Sequence, residues 1–167
     1  QLATGNSPPA TSNYQLATGN SPLATSNYQL ATATPPLSPL TCLFVGALDY
    51  EPNTEAVEWF VRDVLPLVRR SVPDAQVRIV GRGAEQVAWV RDEPGVVLRG
   101  PVDVLADELA VADVSIVPIR VGAGTRLKVV EALANRLPLV TTTVGCEGID
   151  VRTGVNTLIA DDEDLPR

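Results

Sequence analysis

The chain has 167 residues, of which 45% are hydrophobic, and its net charge is −7 at neutral pH. We expect no non-specific binding to nucleic acid, because such binding depends on basic residues. The sequence has no histidine and two distant cysteines, Cys42 and Cys146, which argues against histidine-based catalysis, a disulfide framework and a protein metal site. No apolar run approaches the roughly 20 residues of a transmembrane segment, so we expect a cytoplasmic location, either free or peripheral to the inner face of the membrane.

Residues 1–40 form a low-complexity segment without a charged residue. They repeat with a period of seven, as QLATGNS, PPATSNY, QLATGNS, PLATSNY and QLATATP. Recurrent proline and the adjacent apolar pair argue against a coiled coil, and the polar composition predicts disorder or an irregular extended arm. One hypothesis is a translated short DNA repeat with no selected structure, and the alternative is a functional linker or adhesive repeat.

Residues 41–167 hold all 13 basic and 20 acidic residues and are enough for one domain with a buried core. Short apolar runs alternate with helical patterns in this part, which predicts an α/β fold with a mainly parallel sheet and flanking helices. The predicted strands are Leu43–Gly46, Val77–Val80, Val96–Leu98, Val114–Ile119, Leu139–Thr142 and Thr157–Ala160.

Helices are predicted between these strands. Asn53 or Thr54 is expected to cap the first helix, and Pro66 is expected either to kink this helix or to start a second turn. Shorter helices are predicted at residues 84–91 and 104–112 from their apolar spacing.

The most informative stretch is VGAGTRLKVVEALAN, residues 121–135, between the fourth and fifth predicted strands. It predicts the strand, glycine loop, helix and strand of a parallel sheet. Gly122 and Gly124 allow a tight turn and a close approach of the backbone to a ligand. Such loops also occur in α/β proteins without a ligand, and the GxGxxG pattern fails because Leu127 takes the place of its third glycine.

The start of the following helix is expected to attract an anion. Thr125 is the predicted N-cap, so that the free N–H groups of the first turn point toward the loop. These donors and the helix dipole favour a negative charge by about 0.3–1 kcal/mol at an exposed site. Arg126 and Lys128 add positive charge beside them, so phosphate binding is a reasonable hypothesis for this loop.

Glu131 is an unusual residue for the place where the helical pattern puts it. We expect it at the border of the stripe facing the sheet, beside Leu127, Val130 and Ala134. A carboxylate at such a border needs hydrogen-bond donors, and sugar hydroxyls are suitable ones. The alternative is an ordinary solvated or ion-paired glutamate.

Glycines follow five of the six predicted strands, at the edge where ligands bind to open parallel sheets. They are Gly46, Gly81, Gly83, Gly100, Gly122, Gly124, Gly145 and Gly148. Each one alone is most simply a loop glycine, but together they favour a ligand in close contact with the backbone.

Several of these segments resemble a known family over about residues 41–165. The resemblance is carried by Phe44-Val-Gly46, Pro52-Asn53 and above all by the runs GAGTRLKVVEA and TTTVGCEGID. They look like the second domain of group 1 glycosyltransferases, the large family 4 of retaining enzymes with the GT-B fold. The resemblance implies that residues 41–167 form a Rossmann-like domain, one half of a GT-B fold, which binds a nucleoside-diphosphate sugar.

The resemblance also assigns residues to the donor. Glu131 matches the second glutamate of the family's E-x7-E motif, which contacts the ribose, whereas the first glutamate is replaced by Ala123. The amides from Gly122 to Thr125, with Arg126 and Lys128, would hold the diphosphate.

Two further contacts are implied at the ends of the second and third strands. Arg82 is a candidate for a second phosphate or ribose contact, with an ordinary surface arginine as the alternative. The loop that contains Gly100 lies where such domains usually meet the base. No catalytic residue, metal or cofactor is implied beyond the nucleotide sugar as substrate.

Enzymes of this family have two Rossmann-like domains, and the amino-terminal one holds the acceptor, a glycan or lipid. Here the repeat takes its place, and the sequence stops before the usual closing helices. We therefore expect a donor-binding fragment, truncated at its carboxyl end, with little transfer by this chain alone. One alternative is a non-catalytic nucleotide-sugar-binding module, or a subunit whose partner supplies the acceptor domain. A related GT-B enzyme such as a nucleotide-sugar epimerase is disfavoured by the lack of histidine and by the GTRLK run.

Overall fold

The fold of the chain is taken from a computed structural model, which describes residues 39–165. The repeat lies almost entirely outside the described residues, so its predicted disorder and origin stay predictions. The described residues form one six-stranded sheet with helices packed on both of its faces. The predicted α/β class with a parallel sheet is therefore confirmed.

All six predicted strands are present in the sheet, with small shifts at their ends. They are β1 Thr41–Val45, β2 Gln76–Val80, β3 Val96–Gly100, β4 Val114–Val117, β5 Leu139–Thr141 and β6 Leu158–Ile159. Their order across the sheet is β3-β2-β1-β4-β5-β6, and every neighbouring pair is parallel. The chain reverses its direction of winding between β1 and β4, and this switch point opens a crevice at the carboxyl ends of the two strands.

The helices are short. They are α1 Glu51–Trp59, α2 Leu65–Ser71, α3 Leu105–Ala110 and α4 Leu127–Ala134, with 3₁₀ segments at Ala84–Asp92, Val144–Cys146 and Asp162–Asp164. The predicted helix at residues 84–91 is thus a 3₁₀ segment, and its backbone leaves helical geometry at Val87. Within residues 39–165, no helix combines the length and apolar character needed to cross a membrane.

A single π-helical turn, Phe60–Val64, joins α1 to α2. Pro66 lies in the first turn of α2 and has no N–H to donate to a preceding carbonyl. A wider turn ahead of it accommodates the missing hydrogen bond. Of the two outcomes predicted for Pro66, the second is confirmed, because Pro66 lies at the start of a second helix.

The predicted cap of α1 is wrong. The helix begins at Glu51, with Tyr50 as its N-cap, and not at Asn53 or Thr54. The side chains of Asn53 and Thr54 turn back toward the preceding loop, where they donate to the carbonyls of Ala47 and Leu48 at 2.8 Å each. Polar side chains near a helix start can bond in either direction, and here they bind the loop.

The core lies on both sides of the sheet, because successive side chains of a strand point to opposite faces. Phe44 of β1 belongs to the larger cluster, which also contains Val57 of α1 and Val129 of α4. Leu43 faces the other side, where Leu105 of α3 packs against it. The larger cluster reaches both faces, since it includes the successive β4 residues Ile116 and Val117. The connections that follow β1 and β4 run in opposite directions across the sheet, so right-handed crossovers place α1 and α4 on opposite faces, with their first turns meeting at the switch point.

Candidate functional site

The loops that follow β1 and β4 meet at the switch point. We call residues 121–126 the glycine loop. The Tyr50 hydroxyl donates to the Ala123 carbonyl at 2.9 Å. Gly122 has a φ of +106°, and a Cβ atom there would lie 2.8 Å from Cγ of Pro52. The glycine loop is therefore seated on the start of α1, at a distance that requires glycine at position 122.

The outer side of the glycine loop is open. Residues 121–125 are exposed to solvent. Gly124 has a φ of +136°, and no described atom lies within 4 Å of a Cβ built on it. A ligand can therefore reach the backbone of this loop directly.

The predicted cap of α4 is also wrong, since Arg126 and not Thr125 holds the N-cap position. Among the described residues no side chain caps this helix. Thr125 is exposed, and the loop places it one residue too early to bond the first turn. The uncapped N–H groups of the first turn are donors that an anion can use.

Lys128 lies beneath the loop and not on its outer rim. Its Nζ donates to Oδ1 of Asn53 at 2.6 Å and lies 4.8 Å from the centroid of the Phe44 ring. A Cβ atom at Gly46 would be 3.1 Å from this nitrogen. The ammonium thus occupies the carboxyl end of β1, and burial lowers its pKa to about 8.

Arg126 is buried, with 8% of its surface exposed. Its Nη2 donates to the Gly122 carbonyl at 3.1 Å and lies 3.6 Å from a carboxylate oxygen of Glu147. Its Nε is buried without a hydrogen-bond partner in the described part of the chain. The guanidinium therefore braces the glycine loop against the loop after β5.

The apolar stripe predicted to face the sheet on α4 is wrong. Leu127 and Val130 are 62% and 47% exposed, and Ala134 is exposed as well. The buried residues of this helix are Val129 and Ala132. Because LKVVEALA is apolar on both sides, its pattern does not decide which side packs on the sheet.

Glu131 is half-buried at the border between the two sides of α4. Its negative charge is close enough to Lys128 to raise the pKa of that ammonium, against the larger effect of burial. No described side chain donates a hydrogen bond to its carboxylate or forms an ion pair with it. This carboxylate therefore has free acceptor capacity at the edge of the switch point.

Arg82 and Gly100 lie at the same edge of the sheet, beyond β2 and at the end of β3. The Arg82 side chain is 72% exposed and donates to Asp49 at 2.9 Å. Gly100 is buried with a φ of +69°, and its carbonyl accepts from Gly81 at 2.8 Å. Their contribution to a ligand site stays a prediction.

Three residues at the switch point were not predicted to belong to it. They are Tyr50 and Asn53, which contact the glycine loop and Lys128, and Glu147, which lies beside Arg126. Asn53 and Lys128 are separated by 75 residues in the sequence. No local pattern signals such a contact, because it depends on the order of the strands.

Comparisons with known proteins agree with this architecture. Residues 39–167 match the family model described as glycosyl transferases group 1. An uncharacterized 44.6 kDa protein in the cps region of Klebsiella pneumoniae is 30% identical over 135 residues, covering 74% of this chain and 34% of that protein. The crystal structure of Anabaena Alr3699/HepE in complex with UDP and glucose has a similar fold, with a TM-score of 0.56 and 15% identity over 74% of this chain and 35% of that one.

The chain spans about a third of the length of these two proteins. The matched region begins where the described fold begins, and it includes the glycine loop, α4 and every strand. The resemblance seen in the sequence is therefore confirmed: the chain belongs to the group 1 glycosyltransferase family, and its α/β domain matches part of a GT-B structure.

Proposed function

We propose that this domain binds the nucleoside-diphosphate sugar donor of a retaining glycosyltransferase, with the diphosphate at the glycine loop. The observation that carries the proposal is the open, glycine-rich backbone of residues 121–125 in front of an uncapped helix at the switch point. Membership of the group 1 family supports it. The Anabaena HepE structure was determined in complex with UDP and glucose, which makes UDP the first nucleotide to test.

The diphosphate is held mainly by backbone amides in this proposal. A helix N-terminus favours an anion by about 0.3–1 kcal/mol at an exposed site, so several N–H groups of the loop have to act together. Gly122 and Gly124 have positive φ values, which turn the backbone without a side chain that would cover it. Arg126 and Lys128 contribute positive charge from beneath the loop, where they also hold its shape.

Glu131 is the proposed ribose contact. Its half-buried carboxylate has no donor among the described side chains, and a carboxylate in that state is stabilised when hydroxyl groups bind it. A ribose offers two adjacent hydroxyls as donors. Arg82 and Gly100 stay proposed contacts for a phosphate, the ribose or the base.

The chemistry that we propose is electrostatic. Transfer from a nucleotide sugar leaves a diphosphate, and donors that face this group stabilise the charge that develops on it. The reaction also needs an acceptor, a glycan or lipid, held beside the donor. Residues 39–165 form a single sheet domain, so we expect them to bind donor without transferring the sugar.

Thermal melting with UDP, GDP and UDP-glucose tests the proposal. A nucleotide at 100 times its Kd should stabilise the domain by about 2.7 kcal/mol. Glu131→Ala removes hydrogen bonds to a charged group, each worth about 1.5–3 kcal/mol, so it should weaken nucleotide binding by at least about tenfold. The matched control is Glu93→Ala, which changes an exposed glutamate beyond the 3₁₀ segment and should leave the shift intact. An absence of any shift, or an equal shift in wild type and Glu131→Ala, would contradict the proposed site.

A further inference from the structure

We infer that Asn53 is a positioning residue, which holds the Lys128 ammonium at the carboxyl end of β1 in the place where it can attract the diphosphate of the donor. The inference rests on the proposed function and extends it to a residue of α1. It depends on three features: the hydrogen bonds of Asn53, the space left by Gly46, and the charges around Lys128.

Asn53 uses both ends of its side-chain amide. It is 7% exposed, its Nδ2 donates to the Ala47 carbonyl at 2.8 Å, and its Oδ1 accepts from Nζ of Lys128 at 2.6 Å. An ammonium can only donate and a carbonyl can only accept, so these two partners fix which way the amide lies. Aspartate at this position would lose the donor, and an apolar side chain would lose both bonds.

Three residues border the space that the Lys128 ammonium occupies, namely Gly46, Asn53 and Phe44. A Cβ atom at Gly46, just after β1, would lie 3.0 Å from the Asn53 amide and 3.1 Å from Nζ of Lys128. The Phe44 ring forms the floor, in the range of a cation–π contact. Residues 46–52 contain no basic residue, so the positive charge beside Gly46 is supplied by α4.

The charge of Lys128 depends on this environment. Burial and, to a smaller extent, the nearby charge of Arg126 lower its pKa, Glu131 on the same helix opposes both, and the resulting pKa is about 8. The side chains that face the ammonium from β1 and α1 are Phe44 and Asn53, and neither titrates. The Asn53 oxygen therefore stabilises the charged form, and the attraction for a diphosphate should weaken as the pH rises above about 8.

Lys128 can be observed by itself, because it is the only lysine of the sequence. We therefore propose an NMR titration of the full chain, without nucleotide, in which lysine is labelled with ¹³C at Cε. The wild-type signal should titrate near pH 8. Asn53→Asp places a carboxylate against the ammonium and should move the titration upward by about one pH unit or more.

The matched control is Thr54→Val. Thr54 makes the same kind of bond to the preceding loop, to Leu48 at 2.8 Å, but does not contact Lys128. A merely structural role of the loop bonds would affect both variants alike in stability and leave both titrations unchanged. A wild-type titration near the ordinary lysine value of about 10.4, or the same titration in wild type and Asn53→Asp, would overturn the inference.

A second readout is the affinity for UDP as a function of pH, measured by calorimetry. Wild-type affinity should fall through the pH range in which Lys128 titrates, by about tenfold in all, and the fall should move upward in Asn53→Asp but not in Thr54→Val. If UDP binds and its pH dependence does not follow the lysine signal, the role of Asn53 in donor binding is rejected. If no nucleotide binds at all, the proposed function fails, whereas the NMR titration still decides whether Asn53 controls Lys128.

Discussion

Replacing Gly81 with alanine is expected to lower the free energy of unfolding by about 3–5 kcal/mol, from backbone strain and a steric clash together. Gly81 follows β2 with a φ of +151°, and a Cβ atom there would lie 1.8 Å from the carbonyl oxygen of Gly46. The oxygen is a backbone atom and the Cβ is bonded directly to the backbone, so rotation of a side chain cannot relieve the clash. The Gly46 N–H also donates to the Val80 carbonyl at 2.9 Å, so the two strands cannot separate without losing this bond.

The control for this variant is Gly154→Ala. Gly154 has a φ of +75°, and no described atom lies within 4 Å of its added Cβ, so the substitution introduces strain without a clash. The expected loss is about 1–2 kcal/mol. Urea unfolding of both variants measures the difference, and equal losses would show that the contact between the ends of β1 and β2 is looser than described.

Replacing Glu108 with glutamine is expected to lower the free energy of unfolding by about 2–4 kcal/mol, since it breaks a buried ion pair that is hydrogen-bonded at both oxygens. Glu108 of α3 is 4% exposed. It accepts from Arg78 of β2 at 2.8 and 2.6 Å and from Arg99 of β3 at 3.0 Å. The variant keeps the shape of the side chain but leaves the partly buried Arg78 without a counter-charge.

This effect should depend on pH. Burial alone would raise the pKa of Glu108, but the hydrogen bonds from Arg78 and Arg99 outweigh it and hold the pKa below its usual value. A carboxyl with a lowered pKa stabilises the fold above its unfolded pKa of about 4.3, and this stabilisation is lost as the pH falls through the lower, folded pKa. The difference in the free energy of unfolding between wild type and Glu108→Gln should therefore be constant from about pH 7 to 5 and become smaller below about pH 4.

The control is Asp107→Asn, on the exposed side of α3, which should change the free energy of unfolding by no more than about 0.5 kcal/mol. A similar loss in both variants would contradict the stabilising role of Glu108.

The strands could be predicted because a short apolar run, as in TCLFV, or an alternation of polar and apolar residues, as in QVRIV, indicates a strand without information from the rest of the chain. The packed face of α4 could not be predicted, since Leu127 and Val130 are as apolar as the buried Val129. That choice is made by the neighbouring strands and helices.

The glycine loop was visible in the sequence, but the orientation of its two cations was not. A local pattern places Arg126 and Lys128 beside the predicted phosphate site, whereas the fold turns Arg126 toward Gly122 and Glu147 and Lys128 toward Asn53. These contacts come from segments that meet only when β1 and β4 are paired. For the same reason the polar Asn53 was interpreted as a helix cap.

The most direct test of the proposed donor site is an amide NMR titration of the ¹⁵N-labelled full chain with UDP and, separately, with uridine. We expect UDP to shift the amides of residues 122–128 most strongly, because the diphosphate binds there, and uridine at the same concentration to leave them nearly unchanged. Equal shifts of these amides with uridine and UDP, or strong shifts elsewhere in the domain while the glycine loop stays unaffected, would contradict the proposed donor site.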